Sequence, residues 1–358
     1  MRSDAVTGVS ARGDPAVAEP APGPPAWKPA GASRPRRVPR SVPAPAGPAP
    51  APGSFGADML RALARRPRAI SPKYFYDAAG SALFERICAL PEYYPTRTEV
   101  AILSENACAI ARSVGPGADL VEFGAGAAHK VRILLDALES PSRFAPVDIC
   151  AEHLAGSAAA LARDYPCLRV RPVVADFTRP MRLPARIGNA RRTGFFAGSS
   201  LGNFDPRDAL ALLRSLRALL AGGALLLGVD LVKDPALLHA AYNDAAGVTA
   251  AFNRNLLERA NRELGADFDP RDFAHHAFYD PRRRRIEMHL VALRRVTVRL
   301  LGRRFDFGEG ESLHTENSYK FTIDGLRSLA RRAGFRPGPV WCDPQRLFSV
   351  HWLEASAG

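Results

Sequence analysis

Between Asp119 and Asp230 the chain alternates short apolar runs with amphipathic helical patterns, a rhythm that few folds can accommodate. Strands are expected at Asp119 to Phe123, Phe144 to Ile149, Val170 to Val174, Gly194 to Ala197 and Ala224 to Asp230. Helices are expected between them, for example His129 to Leu138 and Asp208 to Leu220, the latter stopped by Gly222-Gly223. Strand and helix in alternation build a parallel, doubly wound α/β sheet. After Asp230 the rhythm breaks. A helical stretch from Pro235 to about Leu264 precedes two strand-like runs, Ile286 to Leu293 and Val296 to Leu301, which reads as an inserted second domain. A helix around Asp324 to Ala333 and two last strands, near Val340 and from Phe348 to Leu353, return as a terminal hairpin of the first sheet. Upstream, the folded part begins near Phe55, Gly80 and Ser81 fit a turn or helix start, and Leu83, Phe84, Ile87 and Leu90 repeat at helical spacing.

Composition narrows the class further. The 358 residues, 47% of them hydrophobic, suffice for one large or two modest cores. Residues 1 to about 55 are dominated by Pro, Ala, Gly and Arg and are expected to form a disordered tail. Five cysteines, Cys88, Cys108, Cys150, Cys167 and Cys342, lie scattered without C-x-x-C pairs, which argues against a disulfide framework and points to a cytoplasmic protein. No stretch has the length of a membrane span, nor does the N-terminus have a signal-peptide layout. The net charge of +13 raises the possibility of a nucleic-acid partner. Much of that charge, however, sits in the tail around Arg34, Arg36, Arg37 and Arg40, and in the run Arg282 to Arg285, which follows Asp280-Pro281 like a hairpin tip. It is read as solvated charge.

In a doubly wound sheet ligands bind beyond the C-terminal ends of the strands. After the first strand the chain reads Glu122-Phe123-Gly124-Ala125-Gly126-Ala127-Ala128-His129-Lys130, with small residues where a backbone must approach a ligand. Asp148 ends the second strand, placed for ribose hydroxyls, and Asp176-Phe177 ends the third, a carboxylate and an aromatic ring suited to an adenine. A dinucleotide is disfavoured because His129 stands where G-x-G-x-x-G needs its third glycine. Lys130, in the first turn of the next helix, is placed to hold a ligand carboxylate.

Beyond these features, the segments SPKYFYD, LPEYYPTRTE, VEFGAG, GSSLGNF, LLLGVDLVKD, AYNDAAGVTAAFN, NRELGADFD, RIEMHL and HTENSYKF, in order from about Ser71 to Lys320, closely resemble the histidine-specific methyltransferases of ergothioneine biosynthesis. The glycine loop departs from that family in Ala127-Ala128-His129, where relatives carry hydroxyl or charged residues. The resemblance implies a class I, Rossmann-like methyltransferase domain with a smaller α+β substrate-binding domain. The boundaries expected are a tail over 1–55, a substrate-binding domain from 56–96 with 234–320, and an S-adenosylmethionine-binding domain from 97–233 with 321–358. It implies a monomer, with three successive methyl transfers from S-adenosylmethionine to the α-amino nitrogen of L-histidine, yielding hercynine. By the matching motifs, Gly124, Lys130, Asp148, Asp176 and Phe177 fall at cofactor positions, with Lys130 on the methionine carboxylate. Tyr76, Phe84, Tyr93, Gly198, Asn203, Tyr242, Met288, Glu316 and Ser318 fall at substrate positions.

Read as chemistry, methyl transfer asks for a neutral amine held in line with a sulfonium methyl in a dry site, and for neither a metal nor a covalent nucleophile. Tyr76 and Asn203 are the expected catalytic residues, Tyr76 as an orienting group because a phenol of pKa ~10 is a poor base at neutral pH. Asn203 is expected beside the transferring methyl, and Tyr242 with its hydroxyl on the substrate carboxylate. Tyr93 and Phe84 offer aromatic faces to a growing quaternary ammonium, and Met288 an apolar wall to the imidazole. Glu316 and Ser318, two apart in an extended segment, point to one side and read the imidazole as acceptor and donor. Two alternatives remain at this level: the same fold acting on another amino acid or small amine, and a non-catalytic nucleic-acid-binding protein on that scaffold. The absence of an N-P-P-[YF] motif argues against exocyclic amines of bases, and the basic runs lack the interleaved aromatics of a nucleic-acid face.

Overall fold

The computed structural model describes residues 50–126, 128–186 and 190–355. The expected tail up to residue 49, its arginines, and Ala127 of the glycine loop lie outside the described residues. The helices are α1 (Phe55–Ala64), α2 (Ala78–Cys88), α3 (Tyr94–Glu105), α4 (Ala107–Val114), α5 (His129–Ala137), α6 (Ala151–Asp164), α7 (Pro206–Leu219), α8 (Pro235–Tyr242), α9 (Val248–Leu264) and α10 (Ile323–Arg332). The strands are β1 (Arg68–Ala69), β2 (Asp119–Phe123), β3 (Arg143–Asp148), β4 (Arg169–Val170), β5 (Val173–Val174), β6 (Arg192–Phe196), β7 (Ala224–Asp230), β8 (Phe273–Asp280), β9 (Arg285–Ala292), β10 (Val296–Leu300), β11 (Arg303–Phe307), β12 (Ser312–Tyr319), β13 (Phe335–Cys342) and β14 (Phe348–Ala355).

The large sheet runs β13-β14-β7-β6-β2-β3-β4, with β5 also on β3. Its inner strands are parallel, and β14 is antiparallel to both neighbours. Every residue of β2, β6 and β7 is buried, as strands covered by helices on both faces must be. The order reverses at β2, flanked by β3 and β6, so the crevice beyond its C-terminal end is the switch point where such sheets bind ligands. The strand expected from Val170 to Val174 is instead two short pieces on β3. Pro172 sits between them and has no N–H for a sheet ladder.

A second sheet, β1-β12-β9-β8, is antiparallel except that β1 joins β12 in parallel, which ties the N-terminal segment to the inserted one. Residues 281–284 turn the chain between β8 and β9, so the arginine run does sit at a hairpin tip. The single helical stretch expected from Pro235 breaks into α8 and α9. Gly247 takes φ +69° in the break, and the Asp244 carboxylate accepts from Val248 N and Thr249 N, both at 2.8 Å, which caps α9. At α2 the helix starts on Asp77, whose side chain accepts from Gly80 N at 2.7 Å. Gly80 lies inside the first turn, where a Cβ would fall 1.8 Å from the Phe75 carbonyl. Strands β1, β8 and β11 have no counterpart among the expected elements.

Apolar packing follows the two sheets. One cluster gathers Phe55, Met59, Phe75 and Tyr94 with Phe252, Leu256, Met288 and Leu313. Two others cover the faces of the large sheet, one with Leu213, Leu216 and Leu326, the other with Leu103, Leu134 and Trp352.

Candidate active site

A cleft of about 980 Å³ opens at the C-terminal ends of β2, β3, β6 and β7, roofed by α2, α9 and the strands β9 and β12. Every site residue expected from the sequence lines it.

At one end, Gly124 leaves β2 with φ +74°, a conformation that favours glycine, and a Cβ there would meet Phe177 at 3.6 Å. Asp148 caps the turn after β3, accepting from Cys150 N at 2.8 Å, and burial raises its carboxyl above the ordinary range. Burial works the same way on Asp176, but hydrogen bonds from Thr178 and Lys73 outweigh it and hold that carboxyl below the ordinary range. Lys73 Nζ reaches Asp176 Oδ2 at 2.9 Å. Phe177 stands edge-on to Phe196, ring centres 5.4 Å apart.

In the middle, Lys130 is not an open cation. Its Nζ lies 2.6 Å from Glu99 Oε2, and the same carboxylate accepts from Gly198 N at 2.9 Å. Burial disfavours the ammonium, yet Glu99 more than compensates, so Lys130 stays charged. Glu99, fully buried on α3, escaped the sequence reading. The signal was there: α3 buries Tyr94, Pro95, Ile102 and Leu103, and Glu99 is the one charge in that stripe. Gly228 makes the room, since a Cβ there would fall 2.0 Å from Glu99 Oε1. Neighbouring Glu122 is pushed by burial to about 8, so it is largely protonated at neutral pH.

At the far end, Tyr76, Phe84, Tyr93 and Phe252 form a ring of aromatic contacts, with centre distances of 5.7 Å for Tyr76 to both Phe84 and Phe252 and 6.2 Å for Phe84 to Tyr93. Phe252, from α9, was not singled out in the sequence. Burial, reinforced by Glu316, raises the Tyr76 phenol well above its ordinary value, which removes it as a base. Asn203 ends the turn Ser200–Asn203. Gly202 in that turn packs so tightly on β12 that a Cβ would lie 2.7 Å from the Tyr319 carbonyl.

Strand β12 supplies the most chemistry. A bulge between His314 and Glu316 shifts its register, after which Glu316, Ser318 and Lys320 fall on alternate, buried positions. Lys320 is a second omission of the sequence reading, although it continues the alternation of Glu316 and Ser318. Its Nζ lies 2.8 Å from Asp230 Oδ2, 2.8 Å from Ser318 Oγ and 3.1 Å from Tyr242 OH. Asp230 also holds Lys233 and accepts from Tyr94 OH at 2.8 Å. Burial opposes the Asp230 charge, but the two lysines keep it ionised, whereas Lys233 is brought down by burial to about 8. Tyr242 OH and Ser318 Oγ share a hydrogen bond of 2.7 Å, and Lys320 donates to both oxygens. One hydroxyl proton is spent between the two, and the other is left to face the cleft, which both residues line. Glu316 is pushed by burial to about 7, and its carboxylate bonds no protein group among the described residues.

These features fit a nucleoside bearing an amino-acid tail. Glycine turns permit close approach, Asp148 and the Asp176-Phe177 pair face one end, and the Lys130–Glu99 pair with Gly198 stands where a zwitterion would lie. Comparison with known proteins agrees. A histidine N-alpha-methyltransferase of Mycolicibacterium smegmatis is 43% identical over 299 residues, 82% of this chain and 92% of that protein. One of Mycobacterium tuberculosis is 42% identical over the same shares. Ergothioneine biosynthesis protein 1 of Neurospora crassa is 32% identical over 237 residues, 61% of this chain and 27% of that longer protein. The family model described as histidine-specific methyltransferase, SAM-dependent, matches residues 55–355, and with the switch-point cleft this places the chain in the family of S-adenosylmethionine-dependent, histidine-specific methyltransferases.

Proposed function

We propose that this protein transfers three methyl groups in succession from S-adenosylmethionine to the α-amino nitrogen of free L-histidine, yielding hercynine, the first step of ergothioneine biosynthesis. The observation that carries the reading is the pair Glu316 and Ser318. One is a buried carboxylate bonded to no described protein group, the other a hydroxyl on the same cleft whose oxygen Lys320 and Tyr242 hold in place. A neutral imidazole offers one N–H and one bare nitrogen, the complement of that pair.

S-adenosylmethionine, when bound, supplies an electrophilic methyl group. Gly124, Lys130, Asp148, Asp176 and Phe177 are assigned to it, joined by Glu99, through which Lys130 is neutralised and Gly198 N is held. Asn203 and Tyr76 are assigned to orienting the amine, and the aromatic faces of Phe84, Tyr93 and Phe252 to the methylated ammonium. Met288, buried on β9 opposite Glu316, walls the imidazole. The acceptor must lose its proton before each attack: an α-amine titrates near ~8 at a peptide terminus and higher in a free amino acid, whose carboxylate favours the ammonium, so the site must bind the neutral fraction or pass the proton on.

We divide the chain into a substrate-binding domain, 56–96 with 234–320, and a cofactor domain, 97–233 with 321–358. The separate apolar cluster built from residues before 95 and after 237 supports that division. The reading takes the protein as a cytoplasmic monomer acting on a small molecule, without nucleic-acid or membrane partners. No helix among the described residues is long and apolar enough to cross a membrane.

Mass spectrometry of purified protein with S-adenosylmethionine decides the acceptor. Histidine should gain one, two and three methyl-for-hydrogen replacements, and histidine acylated on its α-amine none. Equal methylation of the blocked compound would move the transfer to the ring and overturn the proposal.

A further inference from the structure

The second sheet has an outer face that the proposed reaction does not use. Along β9, Ile286, Met288 and Leu290 belong to the apolar cluster, so Glu287 and His289 project from the opposite face. The strand register sets His289 directly between His276 of β8 and His314 of β12, three imidazole residues abreast across three strands. The rings of His289 and His314 stack, centres 4.7 Å and planes 26° apart, so one ring turns about its side-chain bonds for both in-plane lone pairs to meet one ion. Glu287, His289 and His314 each present a ligand atom, all within 4.8 Å of one another.

The donor details suit an ion. Glu287 Oε1 is held by Arg285 and Arg283, which leaves Oε2 facing His289 Nε2 at 3.1 Å. Two donors that far apart, each ~2.0–2.1 Å from one ion, subtend roughly 100°, close to tetrahedral. His314 Nε2 lies 2.9 Å from the Glu316 carbonyl, which can only accept, so Nε2 carries the proton and Nδ1 the lone pair. A ring N–H given to a backbone carbonyl is the outer contact that orients metal-binding histidines. His289 Nδ1 lies 3.3 Å from Ser312 Oγ, a hydroxyl able to give or take a proton, so the ring can turn its Nε2 lone pair to an ion without losing that bond.

We infer that the outer face of the β12-β9-β8 sheet binds one divalent transition-metal ion through His289 Nε2, His314 Nδ1 and Glu287 Oε2, with water completing the shell. Two imidazoles and one carboxylate select the zinc, cobalt, nickel and copper class over magnesium or calcium, which prefer all-oxygen shells.

Titration of the full chain, free of any polyhistidine tag, with Co²⁺ alone tests this. One equivalent should bind with the visible absorption of a four- or five-coordinate ion and be displaced by Zn²⁺. His289→Ala and His314→Ala should each weaken binding at least tenfold, while His153→Ala, on α6 against the large sheet, should leave it unchanged. Stoichiometric binding of undiminished affinity in both variants, or none in the unaltered protein, overturns the inference. X-ray absorption of the Zn²⁺-loaded unaltered protein needs no variant: scattering from two imidazoles is expected, and a shell without imidazole rejects the site.

Discussion

The two sheets contribute to the cleft in opposite ways. The large sheet buries both faces of β2, β6 and β7, and touches the cleft through residues at and just beyond its strand ends: Gly124, Asp148, Asp176 and Gly198. Little side-chain detail is needed there, since turns and strand ends recur wherever this architecture does. The second sheet puts Met288, Glu316 and Ser318 into the cleft from within its strands. Met288 has ladder neighbours on both sides and Glu316 and Ser318 have β9 on one, β1 reaching only Leu313 and His314, so these side chains are aimed more rigidly than a loop allows. On the proposed assignment, general cofactor recognition falls to strand ends, and selection of one acceptor to strand interiors.

The contrast is most exposed where the sheets meet, at Lys320 and Asp230. Lys320→Met should cost stability toward the lower end of the ~3–5 kcal/mol of a broken buried pair, because Lys233 remains on Asp230. Urea denaturation measures it, and a loss below about 1 kcal/mol would show that the pair does not join the sheets. Next in size is a crossed pair of variants. Glu316→Ala should weaken histidine binding by ~1.5–3 kcal/mol, roughly 10- to 150-fold, and leave S-adenosylmethionine nearly untouched. Asp148→Ala should do the reverse, with a loss of ~1–3 kcal/mol for the cofactor. Calorimetry with each ligand separately reads both, and equal losses for both ligands in either variant would erase the division of labour.

A pH series sharpens it further. Burial raises the Glu316 carboxyl from 4.5 to about 7, so the folded protein binds more protons there than the unfolded chain does between those values. Stability owed to this group therefore falls as pH rises across that window, and Glu316→Gln should flatten the curve. Histidine affinity should run the other way, since only the carboxylate accepts the ring N–H strongly. The advantage of the unaltered protein over Glu316→Gln should grow as pH rises through about 7, and a constant ratio of the two dissociation constants would reject the assignment. The smallest effect is expected at the hairpin tip: Arg282→Ala should change stability by less than about 0.5 kcal/mol and turnover not at all.

Legibility followed the same division. Continuous apolar runs and turn residues marked β2, β3, β6 and β7, and with them the strand-end carboxylates. Long-range pairing escaped: Lys73 with Asp176, Glu99 with Lys130, Lys320 with Asp230. Each joins residues far apart in sequence, and nothing local announces a partner. Motif density was also an uneven guide. In AYNDAAGVTAAFN, Tyr242, Thr249 and Phe252 line the cleft, but Asp244 caps α9, Gly247 makes the turn and Asn253 bonds the His289 carbonyl at 3.0 Å. Three of those six residues serve architecture.

The Lys320–Asp230 pair also constrains descent. Losing the Asp230 carboxylate strands two buried lysines, Lys320 and Lys233, whereas losing Lys320 leaves Asp230 paired with Lys233. Mutational paths that begin at position 230 are therefore closed at ordinary stability margins, whereas one that begins at position 320 stays open at a cost. A lineage should consequently vary at position 320 before it varies at position 230, although the two stand 90 positions apart in the chain.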